Sequence, residues 1–298
     1  MPTIAVLGTF DTKGEEHTYV ADLIRERGHD VLLIDAGSLE PPTLNPDVSR
    51  EKLAGAVGTD LSTLIDRRDR GEAVKVMAEG AALVVAKLAA GNKISGIVSL
   101  GGGGGTAIGT AAMRALPVGF PKLMVSTLAA SESVTEYVGV KDVVMMPSVV
   151  DVAGLNRVSR PIFANAAGAI CGMVETQVPV SEDKPIIAAS MFGNTTDCIN
   201  QAKAILEEAG YEVLVFHATG AGGRAMESLI EDGLVAGVLD LTTTEWADEH
   251  VGGILAAGPT RLESAARNGV PAVIAPGCLD MVNFGPPDTI PGKFADRL

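Results

Sequence analysis

The chain has 298 residues, a formal net charge of −14 and 47% hydrophobic residues, with only 4% aromatic. Its length allows two domains that each bury a core, and its acidity argues against nucleic-acid phosphate as the main partner. Cys171, Cys198 and Cys278 are scattered in no metal-ligand spacing, the pattern of reduced thiols in a cytoplasmic protein, and the longest apolar run, residues 81–91, is broken by Lys87, so no membrane span is expected.

The chain enters an apolar run at once, which leaves no room for a leader segment. Residues 3–8 read as a buried strand, 15–27 as a helix closing at Gly28, and 30–35 as a second strand, so the chain opens with a βαβ unit. The first loop, GTFDTKG at 8–14, begins at Gly8 and gathers hydroxyls, a carboxylate and an ammonium at a strand end. On a parallel sheet, Lys13 would neutralise a phosphate, Thr9 and Thr12 would donate to its oxygens, and Asp11 would hold a divalent metal through water. A capping box is equally open: Asp11 or Thr12 as cap, completed by Glu15 or Glu16. Asp35 ends the second strand where many dinucleotide-binding folds place a carboxylate on ribose hydroxyls. Residues 37–46 read as irregular, the charged run DRRDR at 66–70 as a solvated face, and 72–90 as a long apolar helix.

Next comes the stretch that organises the chain. Residues 94–100 have the β-branched content of a buried strand, and residues 106–116 the small, apolar content of a helix. Between them stand Gly101, Gly102, Gly103, Gly104 and Gly105, followed by Thr106. Bare amides between a strand end and a helix start form an anion cradle, with phosphate the expected guest. No Lys follows the last glycine, and Thr106 stands where a dinucleotide fingerprint would end in Gly, so neither familiar phosphate motif is present. A strand over 121–126 then delivers Ser126 and Thr127 to the same edge. Residues 131–139 are polar, 143–147 resemble a short strand, and 151–176 read as an Ala- and Gly-rich helix suited to packing against a second subunit.

The polar segment 181–185, SEDKP, marks a boundary between domains at 1–180 and 185–298. Beyond it the chain echoes its start: an offset of 182 residues pairs Phe10 with Phe192, Gly28 with Gly210, Val31 with Val213 and Asp35 with His217. An offset of 141 relates GIVSL at 96–100 to GVLDL at 237–241, but TTTEWAD at 242–248 replaces the glycines. Hydroxyls and carboxylates there suit a polyol, a carboxylic substrate or a metal. His217, Glu245 and Asp280 are the candidate bases or metal ligands, and Arg261 the candidate clamp for a carboxylate or phosphate. Asn194, Thr195, Thr219, Gly220, Thr242, Thr243, Thr244 and Asn283 are the candidate substrate contacts.

GTFDTK at 8–13, the 101–106 glycine run, YVG at 137–139, DVAGLN at 151–156, HATG at 217–220, TTTE at 242–245 and LDMVNFG at 279–285 together resemble the Tm-one-like ATP-binding family. Its members are bacterial and plant proteins related to the tomato mosaic virus resistance protein. The resemblance implies an ATP-binding amino-terminal domain, a second α/β domain and a homodimer. Members of this kind usually continue well past Leu298, so site residues of the second domain are expected to follow. The combined expectation is two doubly wound, Rossmann-like α/β domains with mainly parallel sheets. ATP with Mg2+ would bind in the first, and an ATP-using enzyme would act on a small hydroxy- or carboxy-metabolite in a cleft between the two. The alternatives are a nucleotide-dependent binding module without turnover, and a lyase or isomerase whose cradle holds a substrate phosphate.

Overall fold

The computed structural model describes residues 1–179 and 183–297, and its chain divides into two compact units, Met1–Val178 and Pro179–Leu298. Of the expected boundary segment, Ser181 and Glu182 lie outside the described residues.

Unit 1 runs β1 (Thr3–Gly8), α1 (Gly14–Glu26), β2 (Asp30–Asp35), α2 (Arg50–Ala56), α3 (Leu61–Arg67), α4 (Arg70–Ala90), β3 (Gly96–Gly101), α5 (Gly103–Arg114), β4 (Lys122–Ser126), α6 (Val134–Val138), β5 (Val144–Pro147) and α7 (Ser159–Glu175). Its five strands pair in parallel in the order β2-β1-β3-β4-β5. Side chains alternate across each strand, so Ala5 and Leu7 pack with α2, α3, α4 and α5, while Ile4 and Val6 pack with α1 and α7. Because both faces are covered, the strands read as unbroken apolar runs rather than alternating ones. The strand order reverses between β1 and β3, so the loops leaving their carboxyl ends diverge and open a crevice there.

Two helices begin elsewhere than their sequences suggest. Thr106 N–H donates to Gly102 O at 2.8 Å, so α5 starts at Gly103 and three glycines form its first turn. Close packing by α4 offsets their poor helix propensity: a Cβ on Gly104 would lie 3.3 Å from Val74 Cγ2. In contrast, α7 starts late. Gly154 has φ +77, and Asn156 Oδ1 accepts the N–H groups of Val158 and Ser159, fixing the entry to the helix eight residues beyond residue 151. Its small residues Ala166 and Ala167 are fully buried in the core of unit 1 beside α1.

Unit 2 repeats the plan with β6 (Ile186–Met191), α8 (Thr196–Glu208), β7 (Glu212–His217), α9 (Ala221–Glu231), β8 (Gly237–Thr242), α10 (Thr244–Val251), α11 (Ser264–Arg267) and β9 (Ala272–Gly277). The order β7-β6-β8-β9 again places the first strand inside the second, with every pairing parallel. Both units are therefore Rossmann-like α/β folds.

Candidate anion-binding site

The crevice of unit 1 lies where its topology predicts, between the loops that follow β1 and β3. Gly101 makes the turn out of β3, and a Cβ on it would lie 2.8 Å from Gly105 Cα. Gly102 caps α5 with no side-chain bond, and the first turn of the helix carries no acidic residue. The amides of Gly103, Gly104 and Gly105 precede the first helical hydrogen bond, and the helix dipole adds partial positive charge to them. They face a cavity of about 520 Å3.

Two cations reach the same cavity. Lys13 comes from the β1 loop and Arg70 from the first residue of α4, with Arg70 Nη2 4.0 Å from the Cβ position of Gly104. Neither forms an ion pair among the described residues. Thr9 and Thr12 share a 3.1 Å hydroxyl contact in the wall, and Thr127 lines it from the end of β4. Asp11 Oδ2 accepts Leu39 N–H at 2.9 Å, while its Oδ1 is buried without a hydrogen-bond partner. The cap of α1 is Lys13, with no side-chain bond, so the capping box at Asp11 or Thr12 does not form. Glu16 instead accepts Gly154 N–H at 2.6 Å.

Four expected site residues support the cavity rather than line it. Gly8 makes room for His17, whose Nε2 would stand 2.0 Å from a Cβ there. Burial lowers the His17 pKa, against the 2.7 Å bond from Nδ1 to Lys13 O, so the ring is neutral near pH 7. Asp35 is fully enclosed, which corrects the ribose reading: Oδ1 accepts Phe10 N–H at 3.1 Å and Gly37 N–H at 2.8 Å, tying two loops together. Burial raises its pKa against those two bonds. Thr106 and Ser126 are buried and meet at 2.6 Å through their hydroxyls, and Ser126 Oγ accepts Leu128 N–H, so this pair fixes the glycine turn from behind.

In unit 2 the expected clamp and base are absorbed into one buried network. Arg261 is 2% exposed and donates through Nη2 to Asp240 Oδ1 at 2.8 Å, through Nη1 to Asp240 Oδ2 and through Nε to Glu245 Oε2 at 2.6 Å. Burial opposes its charge, yet Asp240 and Glu245 more than offset this and push its pKa up. Glu245 Oε1 accepts the N–H groups of Gly220 at 2.7 Å and Gly223 at 3.0 Å, at the start of α9. The start of α9, after β7, thus already holds an internal carboxylate. Neither Arg261 nor Glu245 is free for a substrate.

Most hydroxyls of this region are spent in the same way. Thr242 bonds Thr195 at 2.8 Å and Ser190 O at 3.0 Å, Thr243 donates to Ala275 O, and Thr244 donates to Met281 O. Asn283 is bound to Asp248 Oδ1 through its backbone and side-chain N–H groups. Asn194 donates to Met281 Sδ. His217, Thr219 and Asp280 are exposed.

Residues 2–179 match the N-terminal domain, and residues 184–298 the C-terminal domain, of the uncharacterised protein family UPF0261. The chain belongs to the UPF0261 family. A UPF0261 protein of Clostridium tetani is 53% identical over 295 residues, covering 99% of this chain and 73% of that protein. The tomato (Solanum lycopersicum) relation is present too. The ToMV susceptible protein tm-1(GCR26) is 36% identical, covering 99% of this chain and 42% of its own length, and the ToMV resistance protein Tm-1(GCR237) is 43% identical, covering 76% and 31%. Among solved structures, UDP-GlcNAc 2-epimerase from Methanocaldococcus jannaschii aligns at 10% identity and TM-score 0.31, covering 90% of this chain and 92% of that one. At that score nothing about ligand or reaction follows.

Within this UPF0261 chain, the glycine run and the β1 loop are brought together as their sequences suggest. Arg70 and Asp151 complete the wall, and sequence reasoning passed over both. Arg70 sits in a charge run that reads as a solvated face. The available signal was its place at the start of the helix that packs beside α5. Among the described residues, no cluster of three or more His, Cys, Asp or Glu forms a metal site, and no helix is long and apolar enough to cross a membrane.

Proposed function

We propose that unit 1 of this UPF0261 protein binds ATP with Mg2+ as the nucleotide of an ATP-using enzyme. The observation that carries this reading is the convergence of three bare first-turn amides with Lys13 and Arg70, neither in an ion pair among the described residues, on one cavity. At about 520 Å3 the cavity exceeds the needs of a lone phosphate, and Ala36, Leu39, Val74 and Ile108 add apolar wall for a base or ribose. The Tm-one-like resemblance supports the same ligand. Asp11 Oδ1, buried without a partner, fits a hard cation, which phosphate oxygens and water would share. When bound, Mg2+ would neutralise phosphate charge. Homodimer formation and a cytoplasmic setting belong to the same reading.

Calorimetric titration of Mg·ATP, with ribose 5-phosphate and inorganic phosphate as controls, tests it. ATP should bind most tightly of the three, and Lys13→Met and Arg70→Met should each weaken it by about tenfold, or about 1.4 kcal/mol. Absence of ATP binding contradicts the reading. ATP that binds but is never consumed would identify a nucleotide-dependent binding module.

A further inference from the structure

A second cavity of about 470 Å3 lies at the carboxyl ends of β4 and β5, and Thr127 and Asp151 belong to its wall as well as to that of the glycine cavity. Its remaining lining includes Ser126, Ala130, Pro147 and Val149. Among the described residues no cation lines this groove, in contrast to its neighbour. Asp151 is exposed and takes part in no hydrogen bond or ion pair among the described residues, which leaves both its oxygens available.

The groove also holds a strained turn. Val150 N–H donates to Ser148 O at 2.7 Å across Val149, whose φ is +65. A tight turn with positive φ at a β-branched residue is costly, and the Val149 side chain, 78% exposed, recovers little by packing. The buried Ser148 holds the turn by donating from Oγ to Val150 O at 2.6 Å. Strain of this kind persists where a loop is shaped for a ligand.

The geometry points to this groove as the acceptor subsite of a phosphoryl transferase, taking a neutral polyhydroxylated molecule such as a sugar or alditol, with Asp151 as the base for the attacking hydroxyl. This inference rests on the ATP reading of the adjoining cavity. The lack of a cation disfavours carboxylate or phosphate acceptors, and Asp151 and Thr127 supply an acceptor and a donor suited to hydroxyl groups. In the step, the acceptor oxygen bonds to the terminal phosphorus of ATP and the bond from that phosphorus to its bridging oxygen breaks. The hydroxyl proton passes to Asp151, and ADP leaves with the bridging electron pair.

The experiment measures ADP release, and the new phosphate ester by 31P NMR, with Mg·ATP and a panel of neutral pentoses, hexoses and alditols. Wild type should release ADP in a polyol-dependent manner. Asp151→Asn should lower kcat by about 100-fold or more without weakening ATP binding by calorimetry, because the carboxylate it removes from the shared wall is not a phosphate-binding group. Ala130→Trp should fill the groove and abolish polyol dependence, again with ATP affinity retained. ATP binding without polyol-dependent ADP release in the wild type overturns the acceptor subsite and leaves the nucleotide reading standing. Wild-type turnover by Asp151→Asn also overturns it. If ATP itself does not bind, both readings fall.

Discussion

Glu245 Oε2 accepts from Arg261 Nε at 2.6 Å, and neither side chain is open to solvent. The other oxygen of Glu245 accepts from Gly220 and Gly223 at the glycine-rich start of α9, so this helix terminus of unit 2 already holds a carboxylate, whereas α5 of unit 1 has bare first-turn amides. Breaking a buried pair strands a charge, which costs about 3–5 kcal/mol. Glu245→Gln and Arg261→Met should therefore destabilise unit 2 by that order without weakening ATP binding in unit 1. Trp246, the single tryptophan, donates its indole N–H to Arg261 O, so its fluorescence during urea unfolding reads this unit directly. An unchanged midpoint with lost turnover would return Glu245 to a catalytic role.

Gly8 faces a similar test. A methyl group there would stand 2.0 Å from His17 Nε2, on a ring that is fully buried and lies against Phe10 at 5.4 Å between centroids. Gly8→Ala should cost about 2 kcal/mol or more through overpacking, read as a lower midpoint in a thermal melt followed by circular dichroism. A variant as stable as wild type would free Gly8 for ligand contact instead.

The pH dependence of stability distinguishes a structural Asp35 from a ligand-binding one. Burial raises its folded pKa above the ordinary carboxylate value. Its contribution to stability is therefore complete below the unfolded carboxylate pKa, and it is lost as pH rises through the raised folded value. Asp35→Asn keeps an acceptor for the Phe10 and Gly37 N–H groups and carries no titration. Its stability relative to wild type should increase from pH 4 upward and level off, ending within about 1 kcal/mol of wild type or above it. Urea unfolding at a series of pH values checks this, and a relative loss of stability with rising pH would contradict it.

Strands, sheet type and the two-unit plan were legible because parallel strands covered on both faces leave unbroken apolar runs, as at residues 3–8 and 96–100. The glycine turn between β3 and α5 was legible for a related reason: five consecutive glycines between such a strand and a helix have few structural uses. Register and burial were not legible. Whether Arg261 meets a substrate or Asp240 depends on contacts among β8, α10 and the segment before α11, which no local pattern encodes. Arg70 looks like the rest of its charge run in sequence and differs only in what packs beside it. Sequence alone starts α5 three residues late, because glycine propensity argues against a helix that tertiary packing then imposes.

The most direct measurement is a calorimetric titration of Mg·ATP into wild type and Gly103→Val. A Cβ at Gly103 would meet no atom within 4 Å, so valine there leaves the fold intact and places its side chain beside the bare amides. Saturable binding by wild type, weakened at least about tenfold in a variant with an unchanged unfolding midpoint, is the predicted result. Equal affinity in the two proteins, or no binding by wild type, would contradict the account.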